Sequence, residues 1–133
     1  MKDRYLQKVP VIAIVDDDES VRIAIRSLVR SLGFTAHTYA SAEDFLQSQH
    51  VSECSCVVTD VQMPGLSGVD LQSRLAAEGR DTPVIFMTAF ADPAMKVRAM
   101  KAGAICVLSK PFEGQMLVRC LEEALSQGKS SQQ

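Results

Sequence analysis

The sequence predicts an α/β fold in which a parallel sheet is covered by helices on both faces. Five short apolar runs rich in β-branched residues alternate with five segments of helical periodicity. The apolar runs are mostly continuous, which is typical of strands buried on both faces. Alternation of this kind indicates strand–helix–strand units with right-handed crossovers, and hence a doubly wound sheet.

The first half of the chain supplies three strands and two helices. A β-favouring run over residues 9–15 ends in an acidic loop, and apolar residues then recur at helical spacing over residues 20–32. Residues 34–39 alternate as a second strand. A serine followed by two acids begins a second helix, expected over residues 41–50. The third strand, residues 56–60, ends on an acid.

The second half continues the same alternation. We expect a third helix over residues 67–78 and a fourth buried strand over 83–88. A fourth helix follows over 93–102, with proline at its first position. A fifth strand over 104–108 and an amphipathic helix over 113–126 complete the pattern.

Length and patterning indicate one domain with polar ends. The 133 residues are enough for one hydrophobic core, which we place in residues 9–126. Residues 1–8 are polar and expected to be flexible, and residues 127–133 form a polar tail.

Composition argues against several functional classes. The net charge of −2 gives no basic signal for nucleic acid. No apolar run approaches a membrane span, and the charged start lacks the apolar stretch of a signal peptide. We therefore expect a cytoplasmic protein whose four cysteines are small buried thiols. His37 and His50 do not supply the second ligand pair that a cysteine-based zinc site would need.

Reactive side chains collect at the carboxyl ends of the predicted strands. Four strands end in such groups, which are Asp16 with Asp17, then Asp60, Thr88 and Lys110. We expect the flavodoxin-like (βα)5 arrangement with strand order 2-1-3-4-5, in which all these ends share one edge of the sheet. The first and third strands are neighbours in that order, so the three acids converge.

Three converging carboxylates repel one another unless a cation lies between them. Mg²⁺ fits because it takes oxygen ligands and is often held by one or two carboxylates beside a phosphate. The Lys110 ammonium, the Thr88 hydroxyl and backbone amides after Asp60 match phosphoryl oxygens. The combination predicts a site for in-line phosphoryl transfer, with Asp60 as the nucleophile.

The ordered motifs resemble those of receiver domains of two-component response regulators, over about residues 9–126. The motifs are Val15-Asp16-Asp17-Asp18, Thr59-Asp60-Val61-Gln62-Met63-Pro64-Gly65-Leu66-Ser67-Gly68, Met87-Thr88-Ala89 and Lys110-Pro111-Phe112. The second and last of these are most similar to the FixJ-type branch. Each motif is modestly specific alone, whereas the ordered set is highly specific.

The resemblance implies a phosphorylation switch. Asp60 would accept a phosphoryl group from a phosphohistidine on a sensor histidine kinase. Mg²⁺, or Mn²⁺ as a substitute, would be held by Asp16, Asp17, Asp60 and the backbone carbonyl of Gln62. The domain would catalyse only its own phosphorylation and dephosphorylation, so it is not expected to be an enzyme that turns over a metabolite.

The resemblance also implies how the signal leaves the site. Thr88, Ala89 and Lys110 would bind the phosphoryl group, and the Lys110–Pro111 peptide would be cis. The face of the fourth helix, fifth strand and fifth helix would then bind a partner, giving a homodimer on phosphorylation. In the FixJ-type branch a Gln-rich linker leads to a helix-turn-helix domain, and residues 127–133 resemble its start. Only such a separate effector domain would contact DNA, and no membrane partner is expected.

Two positions depart from the common receiver pattern. Val107 stands where the family often has an aromatic residue that swings inward as the threonine moves, and valine has no ring to swing. We hypothesise that activation relies instead on the loop after Thr88, with Phe90. Phe90 stands where many relatives carry a polar or charged group, beside the path of the water that hydrolyses the acyl phosphate. We expect its apolar ring to screen that water. The alternative is that Phe90 packs on the fourth helix as part of the output face.

Alternatives from other functional classes remain open. The chain could be a stand-alone single-domain regulator, or an interaction module of the same fold in which phosphorylation is irrelevant. The mark of such a module would be loss of an acid, the threonine or the lysine, and none is lost. A phosphatase with an aspartate nucleophile usually needs a second acid two residues later, where this chain has Gln62.

Overall fold

The chain folds as a five-stranded parallel sheet with a helix after each strand. The computed structural model describes residues 9–90 and 92–130. The elements are β1 Val11–Val15, α1 Glu19–Ser31, β2 Thr35–Tyr39, α2 Ala42–Leu46, β3 Cys56–Asp60, α3 Gly68–Ala77, β4 Val84–Thr88, α4 Pro93–Lys101, β5 Cys106–Ser109 and α5 Gly114–Ser130. The strand order is β2-β1-β3-β4-β5, so the predicted flavodoxin-like arrangement is confirmed. Within the described ranges, no helix combines the length and the apolar character needed to cross a membrane.

The hydrophobic core lies in two layers, one on each face of the sheet. One layer joins strand residues such as Phe86 to α2, α3 and α4, where Phe45 and Leu71 are fully buried. The other joins Ile14 to α1 and α5, where Leu117 is fully buried. β3 lies at the centre of the sheet and is buried along its whole length. Burial on both faces explains why its apolar run is continuous rather than alternating.

The sheet register brings the reactive strand ends to one edge. Val15, the last residue of β1, pairs with Thr59, so Asp16 and Asp60 leave neighbouring strands side by side. β4 and β5 also end level with each other, which brings Lys110 to the same edge. The convergence expected from the strand order therefore follows from the pairing itself.

Several elements end elsewhere than their patterns predict. α2 stops at Leu46 rather than near residue 50, because residues 47–50 are all polar and offer no apolar face for another turn. β5 is displaced from 104–108 to Cys106–Ser109. The Ala104 N–H bonds to a carbonyl of α4 and so closes that helix instead of joining the sheet.

The last helix extends beyond residue 126, where the sequence predicts that the domain ends. α5 continues to Ser130, so the first half of the expected polar tail is helical. Helix propagation costs little once a packed helix has formed, which accounts for the extra turn. Residues 1–8 and 131–133 lie outside the described residues.

The four cysteines are free thiols. Cys56 and Cys120 are buried as expected, whereas Cys54 and Cys106 are only half-buried. Burial raises the pKa of Cys54 to about 11 and that of Cys120 to about 12. Protonated thiols of this kind are poor nucleophiles and poor metal ligands at neutral pH.

Candidate functional site

The carboxylates of Asp16 and Asp60 meet on a single ammonium group. Lys110 Nζ donates to Asp16 Oδ2 at 2.7 Å and to Asp60 Oδ2 at 2.8 Å. Asp16 follows β1, Asp60 ends β3, and Lys110 follows β5. The peptide bond between Lys110 and Pro111 is cis. The structure thus brings together three of the residues that the strand-end pattern singles out.

Backbone amides orient each carboxylate through its other oxygen. Asp16 Oδ1 accepts from the Asp18 N–H at 2.9 Å, and Asp60 Oδ1 accepts from the Gln62 N–H at 3.0 Å. Asp16 is fully buried, and Arg22 Nη1 donates to its carbonyl oxygen at 2.7 Å. The Arg22 contact had no signal in the sequence, where this arginine is one of several along α1. Both carboxylates are therefore held in place within the fold itself.

Burial and the hydrogen bonds between Lys110 and the two carboxylates shift the pKa values of Asp16 and Lys110 in opposite directions. Burial raises the pKa of Asp16, and the hydrogen bond from Lys110 offsets only part of that rise. Burial alone would lower the pKa of Lys110, but its hydrogen bonds to Asp16 and Asp60 outweigh burial and raise it. Lys110 therefore keeps its positive charge at neutral pH, as a phosphate-binding lysine must.

Three carboxylates at this edge have the chemistry of a site for a hard divalent cation. Asp16, Asp17 and Asp60 each offer one oxygen, and these oxygens all lie within 4.8 Å of one another. Asp17 is exposed while the other two are buried, so the group opens to solvent on one side. Gln62 is also exposed, directly beside Asp60. Carboxylate oxygens next to an open position suit Mg²⁺, which retains several waters when it binds.

The end of β4 is organised differently from the other strand ends. Thr88 is buried, and its Oγ1 accepts from the Phe90 N–H at 3.1 Å. Its carbonyl accepts from the Lys110 N–H at 2.8 Å, which joins the two strand ends through their backbones. Ala89 is exposed, and Phe90 exposes 73% of its surface, which leaves most of the ring free of contact with α4. The Thr88 hydroxyl oxygen thus accepts from its own loop and can still donate through its O–H.

Val107 lies on the α4 side of the sheet. It pairs with Phe86 of β4, is half-buried, and packs against the core layer that contains Met95 and Ala99 of α4. A branched side chain with one stiff torsion therefore fills this position. Val107 thus contributes a branched aliphatic side chain, with no ring, to this core layer.

The loop between β3 and α3 contains close contacts that no sequence pattern indicates. Glu43 of α2 accepts from the Leu66 N–H at 3.1 Å. Gly65 has a φ of +80° and lies against that carboxylate, where a Cβ would overlap Glu43 Oε2. Gly68 lies against Asp60, where a Cβ would overlap the Asp60 carbonyl oxygen. Glu43 thus supports the loop that follows Asp60, and no sequence pattern indicates this contact because Glu43 comes from a distant element.

Comparison with known proteins decides the family. Residues 12–122 match the family described as the response regulator receiver domain. The chain belongs to that family. Receiver domains of two-component response regulators are signalling switches, and this one retains the acids, the threonine and the lysine at its strand ends.

The relatives of this receiver are longer proteins. Response regulator protein TodT of Pseudomonas putida is 42% identical over 115 residues, which are 86% of this chain and 51% of TodT. Transcriptional regulatory protein FixJ of Bradyrhizobium diazoefficiens is 38% identical over 116 residues, which are 87% of this chain and 57% of FixJ. The chain thus spans about half the length of these curated relatives. The expected resemblance to response regulators, FixJ among them, is confirmed.

A solved structure supports the same assignment. The low-resolution structure of response regulator StyR superposes with a TM-score of 0.83 at 43% identity. The match covers 94% of this chain and 66% of the StyR chain. Fold and family therefore agree with the geometry of the strand-end site.

Proposed function

We propose that this receiver is a phosphorylation switch in which Asp60 accepts a phosphoryl group from a phosphohistidine on a sensor histidine kinase. The observation that carries the proposal is the convergence of Asp16, Asp60 and Lys110 at the carboxyl edge of the sheet. A carboxylate nucleophile needs a fixed orientation and a nearby cation, and Asp60 has both.

Phosphoryl transfer exchanges one bond to phosphorus for another. An oxygen of Asp60 attacks the phosphorus in line with its bond to the histidine nitrogen. That bond breaks, the imidazole keeps the electron pair, and it takes up a proton from solvent. The Lys110 ammonium faces the charge on the phosphoryl oxygens, with the Thr88 hydroxyl and the Ala89 N–H as further donors. Water later hydrolyses the acyl phosphate and restores Asp60, so the domain catalyses only its own modification.

The acidic residues serve the same reaction by holding a divalent cation. Asp16, Asp17, Asp60 and the backbone carbonyl of Gln62 would hold Mg²⁺, or Mn²⁺ as a substitute. When bound, the ion supplies positive charge against the phosphoryl oxygens. One ammonium faces three carboxylates at this edge, so a dianionic phosphoryl group needs that additional charge.

The output we assign to this switch is homodimerisation followed by control of transcription. Val97 and Met100 on α4 are about half exposed and offer apolar area for a second receiver. The matched segment is 57% of FixJ, a transcriptional regulatory protein. By this likeness, DNA would be bound by a separate effector domain of a longer protein, and a stand-alone regulator is the alternative.

Incubation with acetyl phosphate and Mg²⁺ tests the proposal by intact-protein mass spectrometry. We expect an adduct of about 80 Da, the mass of a phosphoryl group, that is absent from Asp60→Asn and after removal of Mg²⁺ by EDTA. Asp81→Asn, at an exposed acid before β4, is the matched control and should retain the adduct.

Other outcomes would contradict the proposal in different ways. An adduct that persists in Asp60→Asn would place the nucleophile elsewhere. A wild-type chain that forms no adduct would favour an interaction module in which phosphorylation is irrelevant. Release of phosphate over many turnovers would favour a phosphatase.

A further inference from the structure

Two histidines and a glutamate form a cluster at the edge of the sheet, away from the acidic site. His37 lies in the edge strand β2, and His50 lies in the segment between α2 and β3. Their rings are stacked, with centroids 4.1 Å apart and planes inclined by 14°. Glu53 Oε1 lies 2.6 Å from His50 Nδ1. The proposed phosphorylation chemistry uses none of these three residues.

The cluster is compact and open to solvent. One ligand atom from each residue lies within 4.8 Å of the other two. The side chains of His50 and Glu53 are 41% and 48% exposed, and β2 has no further strand outside it. Glu53 precedes β3 while Asp60 ends it, so the cluster and the acidic site lie toward opposite ends of that strand. An ion could reach the cluster without passing the phosphorylation site.

We propose that His37, His50 and Glu53 form a binding site for a divalent transition-metal ion of the zinc type. Two imidazoles and one carboxylate are a common protein ligand set for Zn²⁺, with water in the fourth position. Nitrogen ligands favour zinc and its neighbours over Mg²⁺, whereas the all-oxygen acidic site favours Mg²⁺. The two sites are therefore distinguished by ligand chemistry as well as by position.

Binding requires a small rearrangement of exposed side chains. In a tetrahedral site with bonds of about 2.0–2.1 Å, ligand atoms lie about 3.4 Å apart. The 2.6 Å hydrogen bond between His50 Nδ1 and Glu53 Oε1 must therefore open for these atoms to bind one ion. Nearly parallel rings have nitrogen lone pairs that run side by side, so one ring must turn for both to face the same ion. The partial exposure of His50 and Glu53 leaves room for that turn. The bound ion would tie the edge strand to the segment before β3.

A nearby cysteine is a poor competitor for the ion. Cys54 Sγ donates to the Cys56 carbonyl at 3.0 Å, and burial raises the pKa of Cys54 to about 11. A thiol must lose its proton to bind zinc. Cys54→Ser is therefore a suitable control for binding by thiols.

Calorimetric titration with Zn²⁺ in excess Mg²⁺ tests the proposal, because Mg²⁺ occupies the acidic site. We expect one zinc per chain, with affinity reduced about 100-fold in His37→Gln and in His50→Gln and about tenfold in Glu53→Gln. Gln49→Ala, an exposed neighbour of His50, and Cys54→Ser should bind zinc as the wild type does.

Co²⁺ as a paramagnetic probe locates the site independently of any substitution. In NMR spectra of the wild-type chain in excess Mg²⁺, the largest shifts should fall on the ring protons of His37 and His50. Wild-type zinc affinity in both histidine variants would overturn the proposal, as would absence of zinc binding or shifts centred on Asp60 or the thiols. Amide spectra of the metal-free variants show whether each has folded, and Glu53→Gln, at an exposed position, supplies a test if a histidine variant does not.

Discussion

The proposed phosphorylation site has an acidic half, Asp16, Asp60 and Lys110, whose side chains are hydrogen-bonded together. Its β4 half, Thr88 and Phe90, meets the acidic half through the backbone hydrogen bond from the Lys110 N–H to the Thr88 carbonyl. Lys110 donates to both Asp16 and Asp60, and the three residues come from three different strand ends. The Thr88 hydroxyl oxygen accepts from the Phe90 N–H of its own loop, and the Phe90 side chain is largely exposed to solvent. Side-chain hydrogen bonds thus preorganise the acidic half, while the Thr88 hydroxyl accepts from its own loop and can still donate to a further group.

Lys110→Met would break the assembled half and should have the largest effect. The variant leaves two carboxylates without their shared ammonium, and the rate of phosphorylation by acetyl phosphate should fall about 100-fold. Lys101→Met, an exposed lysine at the end of α4, is the matched control. The rate is measured from the growth of the adduct by mass spectrometry. An equal loss in both variants would mean that net charge, not the position of Lys110, controls the rate.

Asp17→Asn tests whether the exposed acid completes the cation site. Removing one of the three carboxylates should weaken Mg²⁺ binding about tenfold or more while leaving the buried Asp16–Lys110–Asp60 group intact. Affinity is measured by following amide NMR shifts during Mg²⁺ titration. Asp18→Asn provides the comparison, since the Asp18 side chain caps α1 instead. Equal Mg²⁺ affinity in the wild type and Asp17→Asn would remove Asp17 from the ligand set.

Phe90→Glu tests whether the exposed ring in the β4 half screens the acyl phosphate from water. A carboxylate in place of the exposed ring should orient water instead of screening it, so the acyl phosphate should decay about tenfold faster, well below the full effect of a general base. Decay is followed by loss of the adduct after acetyl phosphate is removed. Phe90→Leu keeps an apolar side chain and should decay at nearly the wild-type rate. A lifetime that is unchanged or longer in Phe90→Glu would contradict the screening role.

Thr88→Val should have the smallest effect on the resting protein. Valine keeps the branched shape and removes only the acceptor for the Phe90 N–H, so the free energy of unfolding should fall by about 1 kcal/mol. Urea denaturation measures the loss, and Thr82→Val, at a half-buried loop threonine, is the control. A loss several times larger would show that the Thr88 hydroxyl also supports the acidic half, and the contrast between the halves would disappear.

The strand ends were predictable because chain order and parallel pairing determine them. Once five apolar runs are interpreted as parallel strands, the backbones of Asp16, Asp60 and Lys110 must lie at one edge of the sheet, whatever conformations their side chains adopt. Contacts between distant elements follow no such rule. The hydrogen bond that Glu43 accepts from the loop after β3 joins elements far apart in the sequence. The stacking of His37 on His50 depends on where α2 ends, and α2 ends earlier than its sequence suggests.

The contact between Gly68 and the Asp60 carbonyl bears on how mutational scans of this receiver are interpreted. Any side chain at residue 68 must push the backbone of β3 away from the first turn of α3. Depletion of variants at that position would therefore report a steric limit on the scaffold, even though the residue lies in the same motif as Asp60. Screens for altered signalling would do better to leave residue 68 as glycine and vary exposed positions of the loop before it, such as Pro64.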